Sequence, residues 1–233
     1  MVTRIITGRT MSTDLALTRL LQLVSPSLPI GGYTYSQGIE WAAEAGWIDS
    51  EQDLGAWLQG LLETGLTYLE VPVLLRMMDA WRNADHAAVG QWNDYLLASR
   101  ETRELKTEEL NRARAFCQVL NALEPDAAEH RELLIGSQHA CFSYACNRWS
   151  IDNESAAHAL AWSWLENLVL AAVKIIPLGQ TAGQRVLFRL AARLPEVIER
   201  ALQLDDDELG ASSLALAIAS SQHETQYTRL FRS

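Results

Sequence analysis

Apolar positions recur with a helical period along most of the chain. Leu17, Leu20, Leu21 and Val24 fall at i, i+3, i+4 and i+7, which places them on one helical face. Leu54, Trp57, Leu58, Leu61 and Leu62 repeat the spacing after Ser50-x-x-Asp53, a start resembling a capping box. The register returns at Ala113, Phe116, Cys117 and Leu120, at Ala161, Trp164, Leu165 and Leu168, and at Leu214, Ala217, Ile218 and Ser221. Asp85 and Asp152 stand where N-caps are expected. No segment sustains an alternation of β-branched and polar residues. The pattern predicts an all-α chain.

Turn-forming residues divide the pattern. Breaks are expected over 25–32, 46–50, 83–85, 124–126, 150–153 and 177–183, and Pro195 is expected to end or kink one further helix. At ordinary helix lengths this makes about nine or ten helices. No repeat of solenoid length and no linker rich in Gly, Pro or Ser divides the chain, so a single helical-bundle domain is predicted over 14–233. Residues 1–13 read as an N-terminal extension, since helical patterning begins only after Met11; an upstream start and a cloning remnant both account for it.

Composition narrows the function classes. The 233 residues are 48% hydrophobic and 21% charged, as in a globular domain. Nineteen Lys and Arg against 29 Asp and Glu leave a net charge of −10, and Lys106 and Lys174 are the sole lysines. That balance repels a phosphate backbone, so no nucleic-acid partner is expected. The apolar stretch 156–178 is interrupted by His158, Glu166, Asn167 and Lys174, which predicts a buried helix rather than a membrane span. Cys117, Cys141 and Cys146 are odd in number and form no CxxC. They read as helix-packing residues of a cytoplasmic protein.

Several chemistries lack their residues. Leu105 and Val173 precede the two lysines, so no phosphate-cradling Gly-x-x-x-x-Gly-Lys-Ser/Thr is present. His223-Glu-Thr-Gln-Tyr227 opens like a zinc-hydrolase helix but has Tyr where the second ligand belongs. No two of His86, His130, His139, His158 and His223 share a helix at ligand spacing, and no metal site is expected.

Three segments stand out from this background. Val24-Ser-Pro-Ser-Leu-Pro-Ile-Gly-Gly-Tyr-Thr-Tyr-Ser-Gln-Gly-Ile-Glu40 has a path set by two prolines and paired glycines, with Tyr33 and Tyr35 projecting and Ser36 placed to cap the next helix. It reads either as a connector or as a rigid loop presenting aromatic hydroxyls to a partner. Around Lys174-Ile-Ile-Pro-Leu-Gly-Gln-Thr-Ala-Gly-Gln-Arg185, an apolar helix carries Glu166, Asn167 and Lys174 before it breaks. Either these polar groups line a wet interior or Lys174 snorkels to the surface. The ending, 220–233, interleaves Tyr227, Leu230 and Phe231 with Arg229 and Arg232. Such composition suits a binding surface, while fraying is the default for a terminus.

VSPSLPIGGYTYSQGIE, KIIPLGQTAGQRVL and HETQYTRLFRS, in that order, resemble the UreF family of urease accessory proteins, from Asp14 to Ser233. The resemblance implies an all-helical, non-catalytic urease maturation factor that forms a homodimer. It would bind the accessory protein UreD (UreH) and recruit the GTPase UreG to apo-urease. GTP would be bound by that partner, nickel would be handled by the complex, and this chain would hold no cofactor of its own. By resemblance, Tyr33 and Arg229 organise the surface that receives UreG, and Lys174 serves the fidelity of nickel insertion. Tyr35, Gln180, Arg185, Tyr227, Leu230 and Phe231 complete the expected partner-binding set. The helix from Asp14 and the tail 222–233 are expected to order on UreD, so the tail should be poorly ordered in the isolated chain. The wide apolar face over 161–173 is the expected source of a dimer interface. The runner-up is a nickel carrier in its own right, and a third reading is an enzyme using Tyr33 with His223 and Glu224.

Overall fold

The computed structural model describes residues 14–233, so the extension 1–13 lies outside the described residues. Among them are twelve α-helices and no strand: α1 Asp14–Leu23, α2 Ile39–Glu44, α3 Glu51–Leu61, α4 Val71–Arg82, α5 His86–Ala98, α6 Arg103–Leu123, α7 Arg131–Leu134, α8 Gln138–Arg148, α9 Asn153–Ile175, α10 Gln180–Ala191, α11 Leu194–Leu202 and α12 Leu214–His223. Ten of these are nine residues or longer, matching the expected count. The caps form as read. Ser50, Asp85 and Asp152 accept the amide N–H of Asp53, Ala88 and Ser155 at 3.2, 3.0 and 2.8 Å.

Two expectations about punctuation are corrected. Pro195 occupies the first turn of α11, where its missing N–H costs nothing, so it starts a helix instead of ending one. Gly183 lies inside α10, and a Cβ there would come within 2.5 Å of Val173. Its role is close packing of α10 on α9, and the break itself ends at Gly179.

Helices α3 and α4 are joined without a turn by a π-helical segment, Leu62–Glu70. Val71 donates to the carbonyl five residues back, Leu66, and the Thr67 hydroxyl donates to the Leu62 carbonyl at 2.7 Å. Pro72 lacks the N–H that an α-helix would direct at Tyr68. The Tyr68 carbonyl instead accepts from Gly210, 2.8 Å away in the segment before α12.

The interior holds two apolar clusters that meet along α4 and α9. Phe116, Met77, Leu74 and Leu120 belong to one, and Leu54, Leu58, Leu165 and Ile198 to the other. Helix α9 is long and apolar enough to cross a membrane, yet 56% of its most apolar window is buried in this chain. Ala161, Leu165, Leu168 and Val169 are covered from within the chain, so the face over 161–173 is not left for a second copy. The expected basis for a dimer is thereby removed.

Beside these clusters lies a buried quartet of charges. Arg100 joins Glu70 through its two terminal guanidinium nitrogens and meets Glu109 at 2.6 Å. The His139 ring lies 3.2 Å from Glu70 and 3.9 Å from Glu109, placed for ion pairing rather than for a directed hydrogen bond. Burial opposes the charge of Glu70, but Arg100 and His139 outweigh it and hold the carboxyl at about 2. Burial likewise opposes a charged His139, and the two carboxylates still raise it to about 9. At neutral pH two cations therefore face two anions.

The signs fix a pH window. Glu70 contributes fully above its ordinary value of 4.5, and the contribution is lost as pH falls toward about 2. His139 contributes fully below 6.5, and its contribution is lost as pH rises through about 9. In urea titrations at stepped pH, His139→Gln should therefore flatten the fall in stability between 6.5 and 9. An alkaline limb identical to the unaltered chain's would show that the quartet does not carry it. Arg100→Met, which leaves two carboxylates buried together, should cost about 3–5 kcal/mol in the same assay.

Candidate functional site

The three segments singled out in the sequence converge at one end of the molecule. After α12 the chain turns and runs back across the loop that precedes α2. Glu40 of α2 holds it there. Its carboxylate accepts the amide N–H of Leu230 at 2.6 Å and of Phe231 at 2.9 Å, and it contacts His223 Nε2 at 3.2 Å. The other ring nitrogen of His223, Nδ1, lies 2.6 Å from Glu104 of α6, whose second oxygen accepts from Arg229 at 2.6 Å. The His223 side chain is wholly buried.

A second set of bonds closes the seam. Ser233 presents its carbonyl to the Ser36 amide at 2.8 Å and to the Ser36 hydroxyl at 2.6 Å. Its own hydroxyl donates to Glu108 at 2.8 Å, and the Arg232 amide donates to the Thr34 carbonyl at 2.9 Å. Ser36 also accepts the Glu40 N–H at 3.3 Å, but the capping position of α2 is taken by Gly38, which corrects the expectation for Ser36. Gly38 lets α2 and α12 approach this closely. Its φ is +79°, and a Cβ would stand 3.0 Å from that of Ala219.

The tail is therefore docked in the isolated chain, which corrects the expectation of disorder from Gln222 onward. Phe231 is buried and anchors the segment, whereas Tyr227 and Leu230 stay exposed. Tyr35 is corrected as well. It is buried, so Tyr33 alone projects from the loop. Lys174, exposed at the end of α9, places its ammonium 6.0 Å from the Tyr33 ring centroid. Two motifs far apart in sequence thus form one surface, and solvent rather than a polar interior receives the lysine. Gln180 and Arg185 are exposed on α10, where Arg185 pairs with Glu51 at 2.5 Å.

Sequence reasoning missed Glu40, Glu104 and Glu108, which carry most of these bonds. Nothing in their spacing marks the contacts with α12 and the tail, because each of those partners lies more than a hundred residues away. The terminal helices hold a second surprise. Leu17 and Leu21 of α1 and Leu214 and Ile218 of α12 keep the predicted register but face outward, with Leu15 beside them. Their stripes find no cover among the described residues.

Between the tail and the charged quartet lies a cavity of about 80 Å³, bordered by Gln37, Glu108, Arg112, Glu70 and Trp164. Gln37 bridges Trp164 Nε1 and Glu108 at 3.0 Å each, and Arg112 pairs with Glu108 at 3.0 Å. Among the described residues no three His, Cys, Asp or Glu side chains are grouped to hold a metal ion. His223 has both ring nitrogens against carboxylates, and Tyr33 faces Lys174, so the acid/base set of Tyr33, His223 and Glu224 does not assemble.

Known proteins resemble the chain over nearly its whole length. The family model described as UreF matches residues 48–191. A urease accessory protein UreF of Alcanivorax borkumensis is 51% identical, with 94% of this chain and 98% of that protein covered. Those of Pseudomonas putida and Hahella chejuensis are 47% and 44% identical, covering 96% and 94% of this chain and 100% and 99% of their own. A helical fold, three converging motifs and full-length likeness agree: the chain belongs to the UreF family of urease accessory proteins.

Proposed function

We propose that the chain is a non-catalytic scaffold of urease maturation that bridges UreD and the GTPase UreG on apo-urease, favouring faithful GTP-dependent nickel insertion. The observation that carries this reading is the docked tail. It presents Tyr227 and Leu230 outward from a base fixed by Glu40, close to a loop that exposes Tyr33. Aromatic and Arg side chains on a rigid mount lose little entropy when a partner arrives. The uncovered leucines of α1 and α12 supply further apolar area. In this reading GTP belongs to the partner and nickel to the assembled complex. A homodimer remains part of the proposal, through a surface other than α9.

Co-purification with urease, UreD and UreG tests the scaffold. Deleting 227–233 should abolish UreD binding, and Arg229→Ala should weaken UreG recruitment more than UreD binding. Glu40→Ala, which frees the Leu230 and Phe231 amides at once, should lower retention of both partners. Full retention of both by the truncated chain would overturn the role given to the tail. Gly38→Ala strains a left-handed backbone position under this surface, so it should cost about 1–3 kcal/mol of stability by thermal melting.

Lys174→Ala separates fidelity from folding. The side chain is exposed, so stability should change by no more than about 0.5 kcal/mol. The active fraction of urease matured in the presence of competing metal ions should fall while complex assembly persists. An unchanged active fraction would remove Lys174 from the functional surface.

A further inference from the structure

A groove of about 480 Å³ opens beside the docked tail, and none of the residues expected to bind partners lines it. It lies between α2, the end of α9 and the stretch of tail just after α12. Its volume is in the range of ligand pockets, roughly 300–1,000 Å³. Ile48, Ile175, Ile176 and Pro177 give it apolar walls, and Ile48 and Ile176 are themselves buried in the core. Glu40 borders it but has both oxygens engaged, by the Leu230 and Phe231 amides and by His223.

The charge of the lining is one-sided. Glu44 and Asp49 are exposed at its edge, and among the described residues neither pairs with a cation. Asp49 stands beside a further acid, Asp53. Glu44 accepts an N–H of Gln226, whose Oε1 is buried and receives no donor. Lys174 precedes Ile175 in sequence, yet its ammonium lies 6.0 Å from the centroid of the Tyr33 ring and does not line the groove. Apart from the Thr228 hydroxyl, which can donate or accept, every uncommitted side-chain polar atom in the lining is thus an acceptor. Such a site suits a group that brings several donors, a positive charge and an apolar stem. Arginine has all three, with five N–H donors on a planar cation carried on methylenes.

We propose that the groove receives an arginine side chain carried on an extended segment of a protein partner. The guanidinium meets the Glu44 and Asp49 carboxylates and donates to Gln226 Oε1, while its stem and an adjoining apolar residue pack on the isoleucines. A lysine ammonium is a compact point charge with three donors, and it fits acceptors spread along a groove less well. The net charge of −10 favours the approach of such a basic segment. The inference deepens the scaffold reading, on which it rests for the existence of a partner, by stating what that partner must carry. The linear sequence concealed the site: its acceptors come from α2, the turn before α3 and the tail, brought together only by packing.

Titration of the full chain with the blocked peptide acetyl-Ala-Leu-Arg-Ala-amide tests the proposal, followed by the methyl resonances of Ile48, Ile175 and Ile176 and the side-chain amide of Gln226. These signals should move together and saturate. The same peptide with lysine should bind more weakly. With citrulline, an uncharged isostere of arginine, binding should fall by about 10-fold or more, as befits the loss of a charge-assisted hydrogen bond. Glu44→Gln combined with Asp49→Asn should weaken the arginine peptide by a similar factor. Both positions are exposed, so the double variant should melt with the unaltered chain and separate ligand loss from unfolding. Equal binding of the lysine or citrulline peptide, binding that survives in the double variant, or no binding at all would overturn the assignment. So would shifts of the same methyls without peptide, on removing 1–13 with its Arg4 and Arg9 or on diluting the chain, since this chain's own arginines would then hold the groove. Co-purification of the chain lacking 227–233 judges the scaffold reading separately, so failure here leaves that reading standing.

Discussion

The carboxylate of Glu40 is the point on which the functional end of this molecule turns. One oxygen receives the Leu230 amide, and the other receives the Phe231 amide and faces His223. A buried carboxylate is costly unless its lone pairs are filled, and two main-chain donors with an imidazole fill them. The energy of that arrangement is spent on joining α2, α12 and the tail. Remove it, and Phe231 loses its seat, Arg229 loses the alignment of Glu104, and the tail detaches from the Tyr33 loop.

The interior repeats the same device. Glu70, Glu109, Arg100 and His139 match charge for charge next to the apolar clusters, and Glu108 gathers Arg112, Gln37 and Ser233 at the edge of the cavity. Buried ion pairs are weak as a source of stability against apolar packing, but they are unforgiving of displacement. They suit the scaffold role proposed above, which needs surfaces held in fixed relation. Three helices, α2, α6 and α8, are positioned by such contacts as much as by their apolar faces.

Exposure follows a complementary logic. Leu15, Leu17 and Leu21 on α1, Leu214 on α12, and Tyr227 and Leu230 on the tail remain uncovered. Buried charges fix the C-terminal segment while apolar groups there and on α1 stay exposed, a surface that fits the assembly role proposed above. That agrees with a family of accessory proteins and explains why its recognisable motifs lie near loops and ends rather than in the core.

What the sequence determined by itself is local. Helical periodicity and the caps at Ser50, Asp85 and Asp152 act within four residues, so the all-α class, the helix count and most boundaries could be read directly. The three motifs were likewise legible as strings, and they led to the family. Which face of a helix is covered was not legible, because periodicity defines a stripe without naming its neighbour. Leu165 and Leu17 carry the same signal, yet one is fully buried and the other is exposed. Pro195 and Gly183 were misread for a related reason: a helix start and a tight packing contact use the same residues as a break. The docking of Phe231 on Glu40 spans 191 residues, and Lys174 meets the Tyr33 ring from another element. Only the tertiary structure decides such pairings, since their free energy arises after the helices have packed.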